Sequence, residues 1–270
     1  MARIAGATFT AMRSRLAASA VLALAAAAAG TVRAEPRELV ARPIVLAPGE
    51  LEARLVVELG LRVNEPVRPI SFAPDVWYGV APRWTVGVVH SFQSLGLIRD
   101  GSSFCFRGEA PYGCERTYRG SGVDVRWSWR EGSLAVAPRG RFVVRDIDPW
   151  KPALTAGALV RWTRGRFAIT GDPYLQLGLA NRDRGNRAAL VVPVWLALQP
   201  ARRVLVALHS GWDGELAILR DGWHVPVALS ASARAYRNLH VAIEAGFRSL
   251  VGPQSDAKTR ALALTLAWRP

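Results

Sequence analysis

Between Leu51 and Arg62, apolar and polar positions alternate with a period of two. Leu51, Ala53, Leu55, Val57, Leu59 and Leu61 form one set, and Glu52, Arg54, Val56, Glu58, Gly60 and Arg62 form the other. Successive side chains of a strand point to opposite faces, so the pattern predicts a strand with one greasy face and one wet or charge-paired face. The stretch 72–92, FAPDVWYGVAPRWTVGVVHSF, holds two runs of strand length joined by a tight turn at Ala81-Pro82-Arg83. The same plan recurs downstream, where WREGS, WTRGRF, LQPARRV and AYRNLH each join two further alternating runs.

The runs fall at 51–62, 72–80, 84–92, 120–130, 134–145, 154–163, 166–179, 188–199, 203–211, 223–234, 239–247 and 259–268, which makes about twelve strands. Connections after the even-numbered runs have only about two to four residues, and those after the odd-numbered runs have roughly eight to twenty-seven. An even strand number, short turns on one rim and longer loops on the other are the plan of barrels that cross the bacterial outer membrane. The expected fold is therefore all-β: a single closed antiparallel up-and-down transmembrane β-barrel over residues 50–270, with both chain ends on the periplasmic, short-turn side.

The outward faces fit this plan. Val123, Val125, Trp127 and Trp129 alternate with Gly122, Asp124, Arg126, Ser128 and Arg130, and Leu154, Ala156, Ala158, Val160 and Trp162 alternate with Thr155, Gly157, Leu159 and Arg161. Trp84, Trp129, Trp162, Phe167 and Trp268 all fall beside a short turn, where an aromatic girdle would sit at the bilayer interface. In the last run Leu262, Leu264, Leu266 and Trp268 share a face. Here the chain resembles the outer-membrane β-barrel family, whose last strand carries alternating apolar residues up to a terminal aromatic read by the barrel-assembly machinery; Arg269 and Pro270 follow Trp268 as a departure. The hairpin PDVWYGVAPRWTVGVVHS is similar to the repeating unit of outer-membrane transporters linked to uptake of phenolic or other hydrophobic compounds.

Composition adds the route. Arg3, Arg13 and Arg15 precede an apolar segment from Leu16 to Ala29, and small residues follow at Val32-Arg33-Ala34. That is the form of a cleavable export signal over residues 1–34, and the apolar segment is shorter than the roughly 20 residues a membrane helix needs. Residues 35–49, rich in Pro, Arg and Glu, read as an irregular periplasmic lead-in. The chain has 270 residues and a formal charge of +14, which falls to +10 with the loss of Arg3, Arg13, Arg15 and Arg33. Its arginines are spread over many runs and turns and only Lys151 and Lys258 are lysines, so no basic stripe points to nucleic acid. In an exported chain, Cys105 and Cys114 in the longest non-alternating stretch read as a disulfide that closes a surface loop.

No catalytic set emerges. His90-Ser91 and His209-Ser210 are neighbours in sequence, and strand geometry sends the two members of each pair to opposite faces. His90, His209, His224 and His240 have no metal-ligand spacing, and no cofactor motif is present. The informative constellation is lumenal charge. Arg126, Arg130, Arg139, Arg141, Arg145 and Arg161 fall on the inward faces of three consecutive runs, with Asp124 among them. Glu52, Glu58, Asp75, Asp172 and Glu244 fall mainly elsewhere. Such a basic wall would favour anions in a narrow wet pore, or the same groups would pair and fill it. A soluble lipocalin-type barrel would turn the apolar faces inward, and twelve strands would then enclose a wide dry cavity. The expected role is a passive channel or transporter for a small solute, set in outer-membrane lipid. A plugged barrel whose loops bind an external partner is the alternative, and an outer-membrane lipid hydrolase is a third reading.

Overall fold

The computed structural model describes residues 39–61, 66–91, 103–106, 117–258 and 260–270. Its strands are β1 (Leu51–Leu61), β2 (Pro66–Ala81), β3 (Trp84–Val89), β4 (Phe104–Phe106), β5 (Gly122–Trp127), β6 (Leu134–Ile147) and β7 (Trp150–Arg164). They continue with β8 (Phe167–Gly171), β9 (Tyr174–Gly178), β10 (Ala189–Ala201), β11 (Val204–Glu215), β12 (Trp223–Tyr236), β13 (Leu239–Val251) and β14 (Arg260–Trp268). Twelve of them form one antiparallel ring in the order β1-β2-β3-β5-β6-β7-β8-β10-β11-β12-β13-β14, which closes because β14 pairs back onto β1. All twelve expected strands are present.

The other two strands explain where alternation fails as a guide. β9 continues the line of β8 between β7 and β10, and the register is unbroken, with Val160↔Gly171 and Gly157↔Tyr174 on one side. Pro173, which has no N–H to give, sits in the gap between them. β4 lies outside the ring and pairs with β2 through Ile70↔Phe106 and Phe72↔Phe104, where Phe72 stacks on both aromatic rings.

Two connections expected to be long are short. β6 and β7 meet at Ile147↔Trp150 across a two-residue turn, and β2 starts at Pro66, well before the expected residue 72. The apolar period fades in these segments because Arg145, Asp146, Asp148 and Lys151 replace aliphatic residues, yet the backbone ladder continues beyond the apolar band. Hydrogen bonding defines a strand there and side-chain chemistry does not.

The ladders settle which face is which. Leu55↔Leu266, Val57↔Leu264, Ile243↔Leu264 and Leu208↔Leu229 form cross-strand rows that face outward, and their members are half-buried or exposed. The alternate positions carry Glu58, Asp75, Asp124, Arg139, Arg141, Arg161, Asp172 and Glu244, all buried. A soluble barrel with an apolar interior is thereby excluded: polar groups point in and apolar ones point out. Trp84, Trp129, Trp162, Phe167 and Trp268 project outward at the short-turn rim, and Trp84 stacks on Trp127 with ring centroids 6.2 Å apart.

Leu264 lies midway along β14 between Val57 and Ile243 on the outward face. Leu264→Arg is expected to lower the unfolding free energy by about 2–4 kcal/mol in lipid vesicles, the cost of a cation at mid-depth on a lipid-facing strand. Its inward neighbour makes the control: Thr265→Arg should cost far less in the same urea titration followed by tryptophan fluorescence.

Candidate functional site

The lumen is organised on Asp124 of β5. Its carboxylate is fully buried and accepts from Trp77 Nε1 at 2.8 Å, from Arg126 Nη2 at 2.8 Å and from Arg139 Nε and Nη2 at 2.8 and 2.7 Å. Arg139 then reaches Asp172 with Nη1 at 2.6 Å. A single guanidinium thus bridges carboxylates three ring positions apart, which charge-assisted geometry makes strong and burial makes costly to break. Trp77 belongs to the same unit. The Arg54 and Arg126 guanidiniums stand 4.9 and 4.7 Å from its ring centroid, and its indole lies so close over Gly87 that a Cβ there would come within 2.2 Å of the ring.

The inward acids are compensated by partners close at hand. Glu52 pairs with Arg54 at 2.8 Å on the same strand, Glu58 pairs with Arg248, and Glu244 receives His209 Nδ1 at 3.3 Å. Asp75 accepts the backbone N–H groups of His90 and Ser91 and the Ser91 hydroxyl. Small residues allow these reaches: Ala263 of β14 lies beside both Glu58 and Glu244, and Ala228 of β12 lies beside His209. Of the acids expected to form an opposing wall, Glu52, Glu58 and Asp172 thus have an arginine partner, whereas Asp75 and Glu244 are held by uncharged donors or an imidazole.

The arginines divide. Arg126 and Arg139 are consumed by Asp124 and Asp172, and Arg130 lies exposed at the short-turn rim, outside the lumen, because β5 ends at Trp127. Arg141, Arg145 and Arg161 have no ion pair among the described residues. Arg141 donates Nε to Thr155 Oγ1 at 3.1 Å, stands 4.6 Å over the Tyr174 ring, and keeps a buried Nη2 with no hydrogen-bond partner among the described residues. Arg161 keeps a buried Nε in the same condition. Buried donors aimed into a lumen are groups an anion could satisfy.

An element not anticipated from the sequence lies inside the short-turn mouth. Residues 39–50, a chain of turns and bends, follow the inner wall. Leu46 N–H donates to Thr85 Oγ1 at 2.8 Å, Val45 packs with Ala137 and Leu159, and Val40 packs with Ala168, Trp195, Ala197 and Ala207. Gln199 Oε1 accepts from Leu39 and Val40 N–H, both at 3.2 Å. At its other end, Gly49 and Glu50 bond to the backbone of Gly79, which must lack a side chain because a Cβ would fall 1.9 Å from Ala47 O. Burial raises the Glu50 carboxyl, but hydrogen bonds from Arg269 and the Ala47 N–H outweigh this and hold it below its ordinary value. That clamp is at full strength at neutral pH and is lost as pH falls through the carboxylate range. The run of small inward residues, Ala135, Ala137, Ala168, Ala197 and Ala207, was the available signal, since it leaves an alcove that the strap fills.

The Ser91 hydroxyl faces Asp75 at 2.5 Å while His90 Nδ1 donates to Pro74 O at 2.5 Å, so no serine–histidine hydrogen bond forms there. His209 is inward, stacked 4.2 Å from Trp195, and Ser210 is on the other face. His224 Nε2 lies 3.6 Å from Asp213. No group of three or more potential metal ligands occurs among the described residues. Cys105 is in β4, whereas Cys114 and the export signal at 1–34 lie outside the described residues.

No family model matches the sequence, and comparison with characterised proteins finds no relative. Solved structures do match. The KdgM porin in complex with disordered oligogalacturonate has a TM-score of 0.55 at 5% identity, with 80% of this chain and 98% of that one covered. An outer membrane channel from Pseudomonas putida F1 has a TM-score of 0.52 at 10% identity, with 88% and 100% covered. The chain thus has the fold of bacterial outer-membrane β-barrel channels.

Arg139 and Arg141 are neighbours on one face and should behave differently. Arg139→Ala strands two buried carboxylates and is expected to cost about 3–5 kcal/mol. Arg141→Ala removes a cation with no ion pair and should cost much less, so urea unfolding of the two variants side by side separates hub from lining.

Proposed function

We propose that this chain is a narrow passive channel of the bacterial outer membrane, exported by the signal at 1–34, with residues 50–270 as the barrel and small organic anions as its solutes. The observation that carries the reading is the cation set Arg141, Arg145 and Arg161 on β6 and β7, without an ion pair among the described residues, in a lumen where Glu52, Glu58, Asp124 and Asp172 already have arginine partners. An apolar outer band sits in the membrane and a net positive inner wall meets the solute. A charged ring of this kind raises the local concentration of the opposite ion in a confined aqueous path. Arg141 over Tyr174 offers a solute both a cation and a ring face, which suits a carboxylate attached to an apolar body. The similar fold of a porin holding an oligogalacturonate supports an anionic solute.

A second reading, a plugged barrel whose outer loop binds a partner, is favoured by the strap at 39–50 and by β4 with Cys105, expected to bridge to Cys114. The strap touches about half of the ring from β2 to β11, so it narrows the short-turn mouth whichever reading holds.

Conductance of the purified chain in a planar bilayer tests both. Discrete steps with chloride preferred over potassium are expected, and Arg141→Ala combined with Arg161→Ala should lower that preference roughly two- to ten-fold. A stably inserted barrel that never conducts would overturn the channel reading. Gly79→Leu displaces Ala47 and should raise unitary conductance by lifting the strap from the wall, with the fold verified by heat-dependent electrophoretic mobility.

A further inference from the structure

The short-turn rim is rich in arginine: Arg83, Arg130, Arg164, Arg166, Arg202, Arg203 and Arg237 all lie at or beside the five turns that join hairpins on this side. One of them is placed by the ladder itself. Along β7 the outward positions run Val160, Trp162, Arg164, and β8 and β10 set Ile169 and Leu196 beside Trp162, then Phe167 and Leu198 beside Arg164. Arg164 therefore stands on the lipid-facing surface, directly below a girdle tryptophan and cross-strand from a girdle phenylalanine.

At this place the outer wall is grooved. An open depression of about 710 Å³ is lined by Trp162, Phe167, Ile169, Leu196 and Leu198, and Arg164 and Arg166 stand at its lower edge. Neither arginine has an ion-pair partner among the described residues. An apolar trough bounded by two unpaired cations at the interface matches one kind of molecule, an apolar chain attached to an anionic head. A long arginine stem can lie on apolar surface while its guanidinium reaches the headgroup layer, where its fork fits two oxygens of a phosphodiester.

We infer that this groove binds a glycerophospholipid with a net anionic headgroup from the leaflet on the short-turn side. The phosphodiester lies between Arg164 and Arg166, and one acyl chain lies against Trp162, Ile169 and Leu196. The inference rests on the membrane reading above and adds to it a specific docking position on the outer wall. Phosphatidylglycerol suits the site better than phosphatidylcholine, whose fixed cation would face the two arginines.

The test uses the full chain expressed in a Gram-negative host, extracted in non-ionic detergent doped with either lipid, and weighed by native mass spectrometry. Phosphatidylglycerol should be retained in preference to phosphatidylcholine. The double variant Arg164→Gln with Arg166→Gln should lose about five-fold or more of that retention, while Arg130→Gln, at a different turn, should keep it. Equal retention of the two lipids, or equal loss in the Arg130→Gln control, would overturn the site in favour of a diffuse basic rim or an acyl-only contact. A double variant that lacks heat-dependent mobility is replaced by Leu196→Gln, which spoils the trough and should also reduce retention. If the unaltered chain fails to insert into vesicles at all, the membrane reading itself falls, which separates that failure from failure of the site.

Discussion

Everything in this structure depends on closing the hydrogen-bonded ladder. A sheet in hydrocarbon has no water to satisfy an edge, so the pairing of β14 with β1, from Ala53↔Trp268 to Gly60↔Ala261, is what makes an apolar exterior tolerable. Closure also creates the interior. Once the sheet is a ring, every second side chain is confined with its counterparts from eleven other strands, and the charge chemistry of the lumen follows from who meets whom in that space.

The fold was largely legible because its signal is a period of two, sustained in run after run and punctuated by turn residues. Leu51–Leu61 and Arg260–Trp268 show it without interruption, and in these two strands the faces read from sequence are the faces the ladders give. The failures have physical causes. Alternation marks a strand only where one face meets lipid, so the extensions of β2, β6 and β7 beyond the apolar band were invisible although their backbones stay paired. The strap at 39–50 was equally hidden: it has no period of its own and is held by surfaces supplied by strands remote in sequence, such as Gln199 and Trp195.

The charged interior was legible by face and illegible by partner. Six arginines looked equivalent because each fell on an inward position, but Arg130 lies exposed at the rim, and Arg139 and Arg141, two residues apart, end in opposite states. Arg139 lies beside Asp124 and Asp172, while Arg141 meets Thr155 and Tyr174. Register between strands decides this, and register is set jointly by turns and by the whole ring. Alanines matter as much as the charges, since Ala228 and Ala263 open the lateral space through which His209, Glu58 and Glu244 find their partners.

The strap has a further consequence, for the order in which the molecule can be built. Its hold on Gln199 spans 160 residues of sequence and the clamp between Glu50 and Arg269 spans 219. Contacts so distant along the chain cost more loop-closure entropy than the bond from Leu46 to Thr85, 39 residues away. The end of the strap beside β2 and β3 can therefore seat as soon as that hairpin forms, whereas its hold on Gln199 and on Arg269 waits for the later strands.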